Sequence, residues 1–558
     1  MTQPTSQGGV FLLHPVAASD FFLPEDLSPE QRQLAETTRE FVEREVMVCD
    51  AEIEAKVPGV LPGLLKKAGA LGLLMVEIPE VYGGMGLGKT TASAIAENAT
   101  GQGSFIVALM CHTGIGSLPV LYYGTDEQKK RYLPRLATGE LLGAYSLTES
   151  GAGSDALAAK TRAVKSPDGR HYLLTGEKIF VTNGGFADLY TVFAKVDGEH
   201  FTAFLVERTT EGLAIGREEN KMGIHGSSTV PLFFQDAKVP VENVLGEIGK
   251  GHRIAFNILN VGRYKLGAAC IGACKRLIGI CAKYVQDRQQ FGKPISSFEA
   301  IQRKIADCTI RTFVGESLAY RYAGTVDAAM AGTDMATEEA YARLRDVTKD
   351  LAIEASIVKV FGSEAIHAVA DEAVQMHGGY GFILDYWPAR YYQDNRINRL
   401  FEGTNEINRL LITGTLFRRI GEGALDFLGV FQQILGEIRG GFPTVPADAP
   451  LAPWQDQVDQ LKKLVIYVGG IAINTFGPAI EERQQLLLDL ADLIIECYAV
   501  DSAVARALKL IGSSAGTSTD LHQLIVTTYC AERIPRLKVL ARQALVNIAD
   551  GKAEVYGP

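Results

Sequence analysis

The hydrophobic pattern changes period twice, and those two changes constrain the fold more than any other feature of the sequence. From Ser28 to about residue 141 apolar residues recur at helical spacing, opened by Ser28-Pro29-Glu30-Gln31, an N-cap followed by a proline at the first helical position. Near residue 142 the spacing drops to two. Short β-forming runs follow at 144–148, 172–174, 179–182, 190–196, 201–206 and 230–234, with Ser166-Pro167-Asp168-Gly169 as a turn before a returning strand. From about His252 long helical segments return, over 253–286, 299–331 and 337–367. The proline-dense stretch Gly440 to Pro453 then reads as a linker into a last helical region.

The expected architecture is therefore multidomain α+β. It comprises a helical domain at 28–141, a β-domain at 142–251, a helical domain at 252–420, a connecting segment and linker at 421–453, and a helical extension at 454–558. A chain of 558 residues should split into about three or four units in any case.

Charge and cysteine usage exclude some functions. A net charge of −10 disfavours nucleic acid as the default partner, so an anionic ligand would need local Arg or Lys. The eight cysteines form no CxxC pair, which points to reduced thiols in a cytosol-like compartment. Cys270, Cys274 and Cys281 share a helix face but lack a His or acid to complete a metal set. Met1 to Gln7 has neither the basic start nor the apolar run of a signal peptide. Leu464 to Phe476, the most apolar piece of the tail, is short for a bilayer and reads as a buried helix, with a membrane-surface contact as the alternative.

One literal motif is rejected. Gly83-Gly84-Met85-Gly86-Leu87-Gly88-Lys89-Thr90 matches the phosphate-cradling loop of nucleotide triphosphatases, but Ile78-Pro79-Glu80-Val81-Tyr82 breaks the strand that such a loop requires.

The chemistry gathers in separated stretches. Tyr145-Ser146-Leu147-Thr148-Glu149-Ser150-Gly151-Ala152-Gly153-Ser154-Asp155 ends a strand in small, hydroxyl-bearing residues that let backbone approach a flat or phosphorylated ligand. In Lys178-Ile179-Phe180-Val181-Thr182-Asn183-Gly184-Gly185, Phe180 and Thr182 are two apart and share a strand face; the same residues equally fit a strand that only packs. Arg288-Gln289-Gln290-Phe291-Gly292 and Gln375-Met376-His377-Gly378-Gly379-Tyr380-Gly381 join a phosphate-forking Arg to a Gly-Gly backbone, or form a solvated helix end and a turn. No GxGxxG opens a βαβ unit. Finally, Leu400-Phe401-Glu402-Gly403-Thr404 sets a carboxylate between apolar bulk and a flexible pair, where desolvation can raise its pKa.

Taken in order and spacing, Tyr145–Asp155, Phe180–Gly185, Arg288–Gly292, Gln375–Gly381 and Phe401–Arg409 resemble the acyl-CoA dehydrogenase family over roughly residues 30 to 420. The C-terminal extension, Lys221-Met222-Gly223-Ile224 and the stretch from Pro240 to Glu247 look most like its very-long-chain branch. The resemblance implies a middle β-barrel between two helical domains, with FAD held among them. Tyr145, Leu147, Thr148, Phe180 and Thr182 would line the flavin, and Ser154 would lie near the flavin or the CoA chain. Arg288, Phe291, Gln375, Gly378 and Gly379 would hold the ADP part, partly from a neighbouring subunit, while Thr404 and Glu406 would complete the contacts. Phe180 stands where many members carry Trp, and Glu406 where some carry Gln.

The same resemblance makes Glu402 the base that removes the α-proton of an acyl-CoA thioester, giving trans-2-enoyl-CoA. Its backbone amide and a flavin hydroxyl would polarise the carbonyl. One branch places the base on the long helix after the β-domain. There this chain has Gly262, which cannot serve, followed by Arg263, a candidate substrate contact alongside Gly403. Small residues in Ala108–Gly116 would leave a deep acyl channel for long or very long chains. Electron-transferring flavoprotein is the implied acceptor, a homodimer the favoured assembly, and the cytoplasm, with peripheral membrane contact, the expected location. An oxygen-using acyl-CoA oxidase and a non-catalytic assembly partner are the rival readings.

Overall fold

The computed structural model describes residues 7–14, 17–441, 444–446, 449–512 and 519–549. Its order is helical, then β, then helical. In the first helical region, α1 (Pro29–Phe41) carries the Ser28 cap read from the sequence, with Ser28 Oγ accepting from Gln31 N and the Gln31 side chain returning to Ser28 N. α2 (Lys89–Asn98) and α3 (Gly103–Met110) follow, the latter running into a π-helical turn at Cys111–Gly116.

The Gly83–Thr90 stretch is consumed by packing. Lys89 is buried, paired to Glu77 and within 2.9 Å of the Tyr122 hydroxyl, and Asp327 accepts from the Lys89 and Thr90 amides. A Cβ on Gly88 would meet the Asp327 carboxylate at 2.4 Å, leaving no phosphate cradle.

The middle region contains β1 (Gly143–Ser146), β2 (Arg162–Lys165), β3 (His171–Thr182), β4 (Leu189–Val196), β5 (His200–Glu207), β6 (Leu213–Ile215), β7 (Thr229–Pro240) and β8 (Val244–Leu245). The hydrogen-bonded order is β6-β7-β3-β2-β4-β5-β8, with β1 parallel to β4. This mixed sheet surrounds its own core, which includes Leu174, Tyr190, Phe204, Leu232 and Val239. Its ladder ends at β6 and β8, so the barrel-like wrap is not closed by hydrogen bonds. The two runs expected at 172–174 and 179–182 are one strand, β3, with register breaks around Gly176 and between Lys178 and Val181.

The second helical region is built on α4 (Gly251–Asp287), α5 (Glu299–Met330), α6 (Glu338–Asp350) and α7 (Ala352–His377). The single helix expected at 337–367 is two, broken at Leu351, where no Gly or Pro marks the break. α4 and α7 cross closely at Gly267, where a Cβ would lie 2.5 Å from a Val358 methyl. The helix after the Glu402 loop is α8 (Asn405–Gly421).

Residues 421–453, expected as a connector, contain a helix, α9 (Phe427–Gly440). Phe427 and Phe431 pack on Gly469 and Gly470 of α10 (Ala452–Phe476), so α9 belongs with the C-terminal helices. Part of the linker, 442–443 and 447–448, and the end of the extension, 550–558, lie outside the described residues. α11 (Gln484–Gly512) and α12 (Thr519–Ile548) complete the C-terminal bundle.

α10 exceeds its apolar centre at 464–476: Ala452–Glu482 is long and apolar enough to cross a membrane, as is Gly103–Tyr123, which is 83% buried inside the protein. Length therefore does not exclude a crossing by α10, as Leu464–Phe476 alone had implied. α10 nevertheless has partners here. Val465, Ile466 and Val468 are buried, and Lys462 pairs with Asp501. Residues 8–14 and 17–27, which lie before the first expected domain, are tied between the helical domains. Arg419 donates to Gly8 O, Arg506 pairs with Glu25, and the Arg321 guanidinium lies over Phe21.

Candidate active site

Glu402 and Gly403 form a turn in which both residues adopt positive φ, +57° and +81°. Such a conformation is strained for Glu and persists only where neighbours over-determine it. Here three side chains grip its carbonyls. Arg263 Nε donates to Glu402 O at 3.1 Å, Lys359 Nζ to Gly403 O at 2.8 Å, and Asn408 Nδ2 to Gly403 O and Thr404 O at 2.8 and 3.0 Å. Thr404 caps α8, its hydroxyl accepting from Ile407 N. The turn is thus bolted to α4 and α7 and flows directly into α8.

The turn aims the carboxylate at α4. A Cβ built on Gly262 would lie 2.5 Å from Glu402 Oε2 and 2.9 Å from Oε1, so the carboxylate occupies the space that only a glycine leaves open. Gly262 therefore does more than withdraw a competing base: it makes the seat for this one. Oε2 is sealed from solvent and has no hydrogen-bond partner among the described residues. Burial pushes the Glu402 carboxyl up to about 7, against the opposing pull of Arg263 and Lys359. The Tyr145 hydroxyl and the Cys111 thiol also sense it, both raised first by burial and then by the Glu402 charge.

Arg263, expected at the substrate, is 3% exposed and is spent on Glu402 O and Asn260 Oδ1. Burial lowers its guanidinium to about 10. Its visible work is to hold the loop. Lys359 was not found by sequence reasoning; it sits inside an apolar helical run with no local motif, and only the fold brings it to Gly403.

The first two flavin motifs meet. Thr148 O accepts from Ile179 N at 2.8 Å, and Leu147 O from the buried Lys178, which pairs with Glu149. Tyr145 is buried, its hydroxyl on Ala255 O of α4. Thr182 O accepts from Cys111 Sγ at 3.6 Å, which places this strand end beside the residues that sense Glu402. Phe180 sits on the β3 irregularity at φ +56° and is 60% exposed, a ring held out as a face. Ser154 is exposed in the following turn, its hydroxyl unbonded among the described residues.

The third motif forms a separate cluster at the far ends of α4 and α7. The Arg288 guanidinium lies over Tyr380, and Tyr284 stacks on His377 and donates to its carbonyl. Phe291 is 92% exposed at positive φ. Gln375, Gly378 and Gly379 are exposed, with nothing within 4 Å of a Cβ built on either glycine. Among the described residues no hydrogen bond, ion pair or ring contact joins this cluster to Tyr145, Thr148, Phe180 or Thr182. Glu406 is also set apart. It is exposed in the first turn of α8, its carboxyl lowered by the helix N-terminal amide and Thr404, and it lines a cleft with His367, Arg399, Arg409 and Asp492 of α11.

An apolar cavity runs along α4 from one turn beyond Gly262. It is lined by Leu266, Ala269, Cys270 and Ala273 of α4, by Ile106, Val107 and Met110 of α3 and by Gly101 and Gly103, together with Trp387, Tyr391 and the polar Asp394, Asn395 and Asn398. Of the small residues expected there, Gly114 and Gly116 are elsewhere: Gly114 faces Lys265, and Gly116 packs 2.8 Å (as a built Cβ) from the Gly143 backbone.

The family models described as acyl-CoA dehydrogenase N-terminal, middle and C-terminal domains match residues 28–140, 144–237 and 249–417. A further C-terminal-domain model matches 460–555. The chain is 43% identical over 548 residues to a probable acyl-CoA dehydrogenase of Bacillus subtilis, covering 98% of this chain and 92% of that one. The chain belongs to the acyl-CoA dehydrogenase family. It is also 36% identical to the mitochondrial very long-chain specific acyl-CoA dehydrogenase of Rattus norvegicus, covering 85% of this chain and 73% of the relative. Among solved structures it superposes with a TM-score of 0.95 and 44% identity on an acyl-CoA dehydrogenase complexed with FAD from Bacillus anthracis, covering 97% of this chain and 92% of that one. The butyryl-CoA dehydrogenase of Megasphaera elsdenii matches at 0.64 and 34%, covering 70% and 99%.

Proposed function

We propose that this member of the family dehydrogenates long-chain acyl-CoA thioesters to trans-2-enoyl-CoA, with FAD as the bound electron acceptor and electron-transferring flavoprotein as its partner. The observation that carries this reading is the Glu402 carboxylate, unpartnered at Oε2 over Gly262, with a pKa near 7. A base for an α-proton must be near neutrality and within reach of the carbon, and a carboxylate free of hydrogen bonds meets both demands. Glu402 takes the proton. Its own N–H would polarise the thioester carbonyl. Gly262 leaves the room that the carboxylate occupies.

The residues present fit FAD. The exposed Phe180 ring, Thr182 and the Leu147–Thr148 backbone offer a face and donors for the isoalloxazine. The open Gly378–Gly379 backbone with Arg288, Phe291 and Gln375 suits a pyrophosphate and adenosine. Since those two clusters do not meet within one chain, we assign the second to the cofactor of another copy, which makes the enzyme an obligate oligomer with a dimer as its unit. When bound, FAD supplies the acceptor for the β-hydrogen. Glu406 and Thr404 are read as outer contacts, and Ser154 as a contact of the CoA arm.

Chain length follows the α4 cavity. The cavity follows α4 from Leu266 to Ala273, a rise of about 10 Å that begins one turn beyond Gly262, and we read it as the space that takes the acyl tail. Electron-transferring flavoprotein as partner is supported by a structural neighbour, a chain from the structure of the electron-transferring flavoprotein of Acidaminococcus fermentans, at TM-score 0.63 and 34% identity. The purified protein should be yellow and should convert palmitoyl-CoA to trans-2-hexadecenoyl-CoA faster than butyryl-CoA, without releasing peroxide in air. A colourless protein, or one producing peroxide stoichiometrically, would overturn the reading.

A further inference from the structure

Lys359 is buried in the middle of α7, in a run whose neighbours Ile357, Val358, Val360 and Phe361 are buried and apolar. Burying an ammonium is unfavourable unless its donors are used. They are: Nζ donates to Gly403 O and to Asn405 Oδ1, each at 2.8 Å. Asn405 is fixed in turn by Ser363 Oγ and Glu364 Oε1, at 3.1 and 3.0 Å. Arg409, one turn further along α8, pairs with Glu364 and with Asp492 of the C-terminal bundle. A continuous polar chain therefore runs from α11 to the turn that carries the base.

The turn needs such bracing because Glu402 and Gly403 both hold positive φ. If the Gly403 carbonyl swings, the carboxylate leaves its seat over Gly262. Lys359 grips from α7 and Arg263 from α4, so the turn is clamped by two helices that are themselves in close contact at Gly267 and Val358. Neither cation hydrogen-bonds the carboxylate; both act on it through space. We propose that Lys359 is a positioning residue for the catalytic base, its ammonium fixing the Gly403 carbonyl so that the Glu402 carboxylate stays over Gly262, while its charge favours the ionised form of that base. This inference rests on the assignment of Glu402 above.

The charged and titratable groups around the pair come from every packed element: Arg263 and Cys270 on α4, Glu364 on α7 itself, Tyr145 on β1 and Cys111 on the π-helical turn. Burial lowers the Lys359 ammonium to about 8, so its proton is lost as pH rises through that value. Two limbs of the pH profile should therefore report on it. Below neutrality the Lys359 charge helps Glu402 ionise; above about 8 that help fades.

The test is flavin reduction by palmitoyl-CoA, measured anaerobically on FAD-loaded wild type, Lys359→Gln and Lys359→Arg from pH 5.5 to 9.5. Lys359→Gln removes the charge, and its amide, one bond shorter than the lysine stem, falls short of Gly403 O. It should bind FAD normally, reduce its flavin about a hundredfold more slowly, and move the acid limb up by about one pH unit. Lys359→Arg should restore the acid limb and abolish the alkaline change near pH 8. Lys359→Gln with the wild-type acid limb and a rate within about threefold of wild type would overturn the proposal. If the glutamine variant loses FAD, the arginine variant decides: an alkaline change that persists in it overturns the proposal, and its disappearance supports it. Wild type that fails to reduce its flavin would instead overturn the function assigned to the site.

Discussion

Replacing Glu402 by Gln should make the protein more resistant to unfolding as pH rises, at the same time as it removes activity. In the folded chain the carboxyl is raised from 4.5 to about 7 by burial. A folded-state pKa above the unfolded one means that the native state favours the protonated acid. The penalty for ionising it is absent below about pH 4.5, grows between there and 7, and is fully present above 7. At about 1.4 kcal/mol per pH unit, the difference between pH 5 and pH 8 is about 2.5 kcal/mol as an upper bound. The amide introduced by Glu402→Gln carries no such pH dependence, and the unpaired polar atom at this position is shared by both forms. With about 2.1 cal/mol/K of unfolding entropy per residue, a chain of 558 residues loses about 1.2 kcal/mol per kelvin. The advantage of Glu402→Gln over wild type should therefore widen by about 2 °C between pH 5 and pH 8. Calorimetry or flavin fluorescence of the holoenzyme would read it. A gap that stays constant with pH, or narrows, would refute the desolvated carboxylate.

Other perturbations follow from the same geometry. Gly262→Ala places a methyl 2.5 Å from Glu402 Oε2 and should lower the rate of flavin reduction about a hundredfold while FAD content, read from the absorption spectrum, is unchanged. The pH profile of kcat/KM should have an acid limb near 7, where Glu402 gains its proton, and a limb near 4.5 would show an exposed base. Phe180→Ala, at a side chain that is 60% exposed, should weaken FAD binding by about tenfold or more with little change in the melting temperature of the apoprotein. Ala273→Phe in the cavity wall should reduce kcat/KM for palmitoyl-CoA about tenfold or more, but leave that for butyryl-CoA within about threefold.

The α-β-α order and most element positions were legible because hydrophobic period and caps are local signals. Ser28 and the Ser166–Gly169 turn did what their residue types dictate. The break at Leu351 and the joining of two runs into β3 were not, because no Gly or Pro marks the first and a bulge around Gly176 hides the second. Glu402 was legible through the residues about it, whereas the origin of its perturbed pKa was not. That origin is tertiary: burial against a glycine on α4, far earlier in the chain, raises it, and two cations from different helices pull it back only in part. Lys359 illustrates the limit, since a lone lysine in an apolar helix carries no signal until the fold shows what its ammonium touches. Arg263 reads from the sequence as an electrostatic or structural contact, and its burial and hydrogen bonds show the structural one, on the loop. The helix α9 was masked by the proline-rich stretch behind it, which dominates the local composition.

The most direct test of the account is anaerobic mixing of the FAD-loaded protein with palmitoyl-CoA, followed by flavin absorbance, in wild type and Glu402→Gln. The account predicts rapid bleaching in wild type, and in the variant an intact flavin spectrum that does not bleach although palmitoyl-CoA still binds. Bleaching of Glu402→Gln at the wild-type rate would contradict it.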